Sequence, residues 1–319
     1  MPSAFSQPLV FEPIFMERIW GGRRLATLFG KRLPPAVRIG ESWEIVDRAE
    51  AQSVVQSGPW RGKTLHHLWT NHRREVFGDV AASPRFPILI KLLDAEEKLS
   101  LQVHPPAELA AELGGEPKTE FWYIADAQPA AELYVGMRRE SSRQAFEQAI
   151  AAGTAEEHVC RVPVKTGDGM FLPSGRVHAI GAGNVIVEVQ QNSDTTYRVF
   201  DWNRTDDRGQ PRELHVEQSL RCIDFDDCEP SLVDPDREAL VSHSLFHIER
   251  WTLDAAPREV APPGHFAIVC CLRGKVECGG VEIAPGEFFL APATIEDRAV
   301  RAAADETSLL QVTMRDSAR

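Results

Sequence analysis

The sequence has no C-x-x-C pair. Its six cysteines, Cys160, Cys222, Cys228, Cys270, Cys271 and Cys278, are scattered along 319 residues, which excludes a zinc site built on paired thiolates and argues against a disulfide framework. Positive charge is in deficit. Thirty-five Lys and Arg against 47 Asp and Glu leave a net charge of -12, the wrong sign for a nucleic-acid footprint or an anionic membrane surface. No apolar run approaches the roughly 18 residues of a membrane span. The opening MPSAFSQPLVFEPIF lacks the basic start, apolar core and small-residue cleavage site of a secretory signal, so a cytoplasmic location is expected. A chain that is 43% hydrophobic and 26% charged reads as an ordinary globular protein, long enough for two domains. Any metal it holds has His, Glu and Gln for ligands.

Helical periodicity is also scarce. Short apolar or alternating runs dominate: SWEIV (42–46), FPILIKLL (86–93), LSLQVH (99–104), EFWYIAD (120–126), AELYVGM (131–137), GMFLP (169–173), NVIVEVQ (184–190) and TTYRVFDW (195–202). Each is bounded by Gly, Pro, Asn or Asp, the pattern of a β-sandwich or barrel. Three helices are expected to decorate the strands. One runs behind Thr64 through Leu65, Leu68, Trp69 and Val76; one starts at Ser142 and closes at Gly153; the third spans Pro211 to Ile223. The acidic, proline-containing FDDCEPSLVDPDREAL (225–240) reads as a linker, with a boundary at roughly 230–243. It divides a domain over 1–235 from a smaller one over 243–319. The second part echoes the first: EFWYIADA followed by GDGMFLPSGRVHAIG resembles HFAIVCCL followed by GEFFLAPATIEDRAV, with Gly167 to Pro173 and Gly286 to Pro292 equally spaced. The fold expected is mainly β, two cupin-like jelly-roll β-barrels with a few decorating helices.

The chemistry gathers in the first copy. Gly167, Pro173, Gly175 and His178 fit G-x5-P-x-G-x-x-H, the second motif of the cupin barrels, in which a tight turn returns a histidine to the interior. Gln102 and His104 lie two apart in LSLQVHP and so share one strand face. Glu120 opens the next strand. Gln102, His104, Glu120 and His178 form a candidate two-nitrogen, two-oxygen metal set that zinc, iron or manganese would accept. Lys118 lies two before Glu120, on the same face if the strand begins early. Glu188 and Arg198 sit in β-branched strands where a buried charge is costly unless paired or functional. An inward Lys and Arg would supply a cationic pocket, and Arg suits phosphate. SWE (42–44) and Trp20-Gly21-Gly22 are further candidate lining segments. Asp297 stands where the second copy would need its histidine, so one metal centre is expected and the C-terminal part packs or shields.

LSLQVHP, GEPKTEFWYI, GRVHAIG and EVQQNSDTTYRVFDWNR, together with RIWGG and IGESWEI, closely resemble the hallmark segments of the type I mannose-6-phosphate isomerases, in length the short bacterial form. The resemblance runs from about residue 8 to about 222. It implies one zinc ion per chain on Gln102, His104, Glu120 and His178, an active-site arginine at Arg198, and Glu188 and Lys118 lining the site. Phe121 stands where the family commonly has Cys, and Pro106 where it often has an acidic residue. Neither is a ligand position.

The implied reaction interconverts mannose 6-phosphate and fructose 6-phosphate through a cis-enediol. The sequence leaves the base open among Lys118, Glu188 and a water on the metal, and gives Arg198 to charge stabilisation or phosphate binding. A small hexose phosphate is the expected partner, with no nucleic acid and no membrane; the oligomeric state is open, a monomer being compatible with the sequence. The alternatives are a non-catalytic sugar-binding bicupin, an isomerase of another sugar phosphate, and a cupin oxygenase. The last would use His-rich ligation of iron, unlike a set containing Gln102 and Glu120.

Overall fold

The structure is a computed structural model and describes residues 5–205 and 209–314. Eleven strands come from the first two thirds of the chain: β1 (Ile14–Gly22), β2 (Ile39–Ile45), β3 (Ile88–Ala95), β4 (Leu101–Val103), β5 (Glu120–Ala127), β6 (Glu132–Met137), β7 (Val159–Pro163), β8 (Gly169–Leu172), β9 (His178–Ile180), β10 (Asn184–Gln191) and β11 (Tyr197–Phe200). They form a six-stranded sheet in the order β1-β2-β3-β10-β5-β8 and a five-stranded sheet in the order β11-β4-β9-β6-β7. Nine more follow: β12 (Ala239–Ser242), β13 (His247–Thr252), β14 (Arg258–Glu259), β15 (Ala267–Arg273), β16 (Val276–Cys278), β17 (Val281–Ile283), β18 (Phe288–Ala291), β19 (Ala299–Ala302) and β20 (Ser308–Thr313). These make the sheets β12-β13-β20-β15-β18 and β14-β19-β16-β17. The described strands close no continuous ladder: where two barrels are expected, each is a pair of open antiparallel sheets.

Period-two alternation explains how the sheets stack. On one face of the six-stranded sheet, Leu93, Trp122, Ile124, Met170 and Ile186 meet Leu133, Val135 and Ile180 of the five-stranded sheet in one buried cluster. Its other face turns Ile90, Leu92, Phe121, Tyr123, Val187 and Val189 toward Ile248, Ile268, Leu290, Leu310 and Val312 of the C-terminal part. β3 and β10 are therefore covered on both sides, which is why they read as unbroken apolar runs. A third interior lies inside the C-terminal pair, where Trp251, Val269, Phe289 and Leu309 meet Val276, Ile283 and Val300. The repeat detected in the sequence is a repeat of strand order, because β10-β5-β8 and β20-β15-β18 are matching neighbours. One N-terminal segment crosses the division: Leu9 bridges to Leu290 through two backbone hydrogen bonds of 2.8 Å.

Among the described residues six α-helices lie outside the sheets: α1 (Arg24–Phe29), α2 (Leu65–Asn71), α3 (Arg73–Phe77), α4 (Ala107–Ala110), α5 (Arg143–Ala152) and α6 (Val216–Cys222). Thr64 caps α2 by accepting from the His67 N–H at 3.0 Å. The single helix expected from Leu65 to Val76 is broken at His72, whose φ of -132° and ψ of 29° are not helical. Ser142 caps α5 and Gly153 ends it in the left-handed region. The helix expected over Pro211–Ile223 is shorter, because Pro211 pairs with Thr205 in an isolated bridge and the helical turn begins only at Val216. Phe146 of α5 and Cys222 of α6 cover the outer face of the five-stranded sheet. Among the described residues no helix is long and apolar enough to cross a membrane.

α2 and α3 are wedged beside the C-terminal part by aromatic packing. Phe77 packs edge-to-face against Trp69 and Phe266, with ring centroids 5.0 and 5.5 Å away, and at a tilt against Phe86 at 5.2 Å. Phe77→Ala should cost about 3–5 kcal/mol, read by denaturant unfolding. The shared core further predicts that calorimetry shows one transition for both proteins; two separated wild-type transitions would mean that the sandwiches fold independently.

Candidate metal centre and cavity

Strand register brings the candidate residues together. β11, β4 and β9 are neighbours, and their pairing sets Arg198 opposite Gln102 and Gln102 opposite His178. Residues directly opposite across a ladder project from the same face, so the three side chains form a row. The facing six-stranded sheet supplies a second row, Lys91 opposite Glu188 opposite Trp122. Glu120 lies two before Trp122 and Lys118 two before Glu120, on that same face. The Pro-x-Gly turn completes the frame. Gly175, at a φ of +90° that favours glycine, donates its N–H to the His104 carbonyl at 2.9 Å.

His104, Glu120 and His178 converge, with one potential ligand atom from each lying within 4.8 Å of the others. All three are at least 99% buried. His104 Nδ1 lies 2.8 Å from the Thr195 carbonyl and His178 Nδ1 lies 2.9 Å from the Arg176 carbonyl. A carbonyl only accepts, so each Nδ1 carries the proton and each Nε2 presents a lone pair. Those lone pairs face the Glu120 carboxylate at 3.5 and 3.3 Å. Three acceptors thus confront one another in a water-poor interior, and His104 Nε2 and Glu120 Oε1 have no hydrogen-bond partner. A divalent cation resolves that conflict, and the carbonyl-anchored histidines have the outer-shell support typical of metal ligands. The Gln102 amide nitrogen is 3.3 Å from His178 Nε2. Rotating the amide by half a turn puts its oxygen there as a fourth donor.

Charge alternates outward from this cluster. Lys118 Nζ is 2.7 Å from Glu120 and 3.9 Å from Glu188. Lys91 Nζ lies 3.7 Å from both Glu188 and Glu41, and Arg18 reaches Glu41 through two hydrogen bonds of 3.1 Å. Two indoles fix the outer carboxylates: Trp122 donates to Glu188 at 2.9 Å and Trp43 to Glu41 at 2.6 Å. The protonation states follow from this order. Burial alone would raise the Glu120 pKa, yet the Lys118 ammonium holds it well below the ordinary range. Glu188 goes the other way, since burial outweighs Lys118 and Lys91 and raises it. Burial opposes the charge on Lys118, but Glu120 and Glu188 together raise its pKa. Burial also opposes the charge on Glu41, but Lys91 and Arg18 bring its pKa down to about 2.

The outer groups of this series line a cavity of about 260 Å³, whose wall includes Gln102, Lys118, Glu188 and Arg198 from the sequence-derived set; Glu120, His104 and His178 lie behind it. Sequence reasoning passed over Arg18, Glu41, Lys91, Trp122 and Arg212, which line it too. Of the two extra segments expected there, Trp20 lines the cavity, but SWE is mostly misplaced. Ser42 and Glu44 point to the opposite face, where Glu44 pairs with Lys31 at 2.7 Å; Trp43 is the inward member, with Lys91 4.8 Å over its ring. Among the described residues none of the C-terminal part lines this cavity; that part packs against the other face of the site-bearing sheet. Asp297 is engaged by Arg301. A roomier surface cavity of about 800 Å³ lies by Tyr134, His158 and Arg161, but Arg161 is already paired to Glu132 at 2.7 Å and no metal-capable cluster adjoins it among the described residues.

Burial depresses the His178 pKa from 6.5 to about 3; Glu120 opposes this only in part, and His104 and Lys118 add to it. In the metal-free protein, the unfolded chain therefore binds a proton between these values that the folded protein refuses. Stability should be level above pH 6.5 and fall as the pH drops toward 3. Urea unfolding of apo-protein between pH 7.5 and 4.5 should show that fall, made shallower by His178→Gln; equal slopes would contradict it.

The comparisons agree with this geometry. A family model of the phosphomannose isomerase type I catalytic domain matches residues 9–126, a span that contains Gln102, His104 and Glu120. The mannose-6-phosphate isomerase ManA of Bacillus subtilis (strain 168) is 41% identical over 290 residues, covering 85% of this chain and 87% of that relative. The crystal structure of the Bacillus subtilis mannose 6-phosphate isomerase superposes with a TM-score of 0.85 at 33% identity, over 96% of this chain and 99% of that one. A zinc-bound holo mannose 6-phosphate isomerase shares the fold, with a TM-score of 0.75 at 16% identity over 97% and 99% of the two chains. The chain belongs to the type I mannose-6-phosphate isomerase family.

Proposed function

We propose that this chain interconverts mannose 6-phosphate and fructose 6-phosphate with one zinc ion held by Gln102, His104, Glu120 and His178. The observation that carries the reading is the buried meeting of two Nε2 lone pairs with the Glu120 carboxylate beside a cavity rich in cations, in a member of this family. The zinc-bound relative supports the choice of metal. The residues of the metal set and of the cavity wall lie before position 213, which supports residues 1–235 as the catalytic unit and 243–319 as its packing partner.

The aldose and the ketose differ by one proton and the position of a carbonyl. A base removes the proton from C2, giving a cis-enediol, and returns a proton to C1. Zinc, when bound, supplies Lewis-acid stabilisation of the negative charge that develops on the sugar oxygens. Glu188 is the base in this reading. It lines the cavity outside the His/Glu/His cluster, its carboxylate is fixed by Trp122, and burial lifts its proton affinity toward that of a neutral-pH base. Lys118 stays cationic between two carboxylates and stabilises oxyanion charge. Arg198 is held by neutral acceptors, the Glu213 carbonyl at 2.7 Å and Ser100 Oγ at 3.3 Å, so its charge is free to meet the phosphate.

The purified protein should convert mannose 6-phosphate to fructose 6-phosphate, lose turnover with chelator and regain it with zinc. Glu188→Gln should keep the metal and lower kcat by roughly 10²–10⁴, with matching loss of solvent deuterium entry at C2. Near-normal exchange in Glu188→Gln together with loss in Lys118→Met would move the base to Lys118. Bound metal without any turnover would leave the sugar-binding bicupin as the better reading.

A further inference from the structure

Arg198 has a cationic neighbour that the sequence motifs do not mark. Arg212 lines the same cavity, together with Ser100 and Thr196, although it follows β11 in a stretch without regular structure. Its guanidinium is gripped by Asp201 through Nε at 2.7 Å and a terminal nitrogen at 2.5 Å. Asp201 is 95% buried and also takes Arg204 at 2.5 Å. Arg204 in turn donates to the Lys98 carbonyl at 2.6 Å and does not reach the cavity wall. Asp201 thus anchors two guanidinium groups with one carboxylate, and a positive charge is left over on the cavity side.

The electrostatics shows the same surplus. Burial lowers the Arg198 pKa first, and repulsion from Arg212 lowers it further. Two like charges held together at a half-buried site are unfavourable unless an anion joins them. Arg212 forks toward Asp201 with one edge, and Arg198 is oriented by neutral oxygens, so donor N–H groups remain for a tetrahedral oxyanion.

We propose that Arg212, positioned by Asp201, is the second arm of a two-arginine clamp with Arg198 that takes the dianionic phosphate of the substrate and sets the preference for phosphorylated over free hexose. This rests on the reading of the site as a sugar-phosphate isomerase. The clamp itself concerns only the binding of a phosphate monoester.

Inorganic phosphate separates the two claims. It should raise the thermal midpoint of the wild-type zinc protein, and Arg212→Gln should lose most of that shift, each protein being compared with its own midpoint without phosphate. In turnover, Arg212→Gln should raise KM for mannose 6-phosphate roughly 10- to 100-fold, the scale of one lost charge-assisted pair, with kcat within about threefold because the phosphate does not react. Arg212→Lys keeps the charge without the fork and should fall between the two. An unchanged KM and an unchanged phosphate shift in Arg212→Gln would overturn the clamp. If that variant does not fold, an unchanged KM in Arg212→Lys overturns it instead. An arginine-dependent phosphate shift in a protein without isomerase turnover would keep the clamp and retire the isomerase.

Discussion

Three acceptor atoms share one dry pocket, and the surrounding charges answer to that fact. The Glu120 carboxylate and the Nε2 atoms of His104 and His178 repel one another unless a cation sits among them. Lys118 satisfies only one carboxylate oxygen, at 2.7 Å. Removing such charges from water is expensive and is tolerated where partners are fixed in advance. The alternation Glu120, Lys118, Glu188, Lys91, Glu41 and Arg18 carries that compensation from the buried centre to the solvent edge, so no member is left as a lone buried charge. The same alternation separates the two carboxylates: Lys118 at 2.7 Å holds Glu120 ionised, while Glu188, whose two lysines stand 3.9 and 3.7 Å away, keeps a higher proton affinity.

Such a ladder requires strands whose register cannot slip. A shift of one residue in β10 would turn Glu188 out of the cavity and bring Val187 or Val189 into it. The register is held from behind, because Val187 and Val189 belong to the core that joins the six-stranded sheet to the C-terminal sandwich. The C-terminal part therefore serves the site mechanically: none of its described residues lines the cavity, yet it buries the opposite face of the strands that carry Lys91, Glu188 and Glu120. This also accounts for a second copy of the sheet order that has lost its histidine at Asp297 and kept its packing face.

Much of the site was legible in the sequence, for identifiable reasons. His178 followed from a turn whose Gly175 needs a positive φ, and Gln102 and His104 from period-two spacing. Glu188 and Arg198 stood out as charges among β-branched neighbours. Lys91 obeys the same argument but lies in FPILIKLL, where apolar residues on both sides hide the alternation; β3 is buried on both faces. Alternation in IGESWEI separates Glu41 and Trp43 from Ser42 and Glu44, yet gives no sign of which pair faces inward. That choice depends on the C-terminal sandwich, against which Glu44 is buried with Lys31. Arg212 had no local signal, since only the fold brings it to Asp201. The helix predicted over Pro211–Ile223 was overextended because the bridge from Pro211 to Thr205 is set by tertiary pairing.

The central claim is that an imidazole–carboxylate–imidazole cluster, completed by Gln102, is a single zinc centre free of sulfur. X-ray absorption at the zinc edge of the purified protein tests it most directly. The account predicts nitrogen and oxygen neighbours at about 2.0–2.2 Å with the outer-shell signature of two imidazoles. A sulfur neighbour near 2.3 Å, or a first shell without imidazole, would place the metal elsewhere and contradict the account.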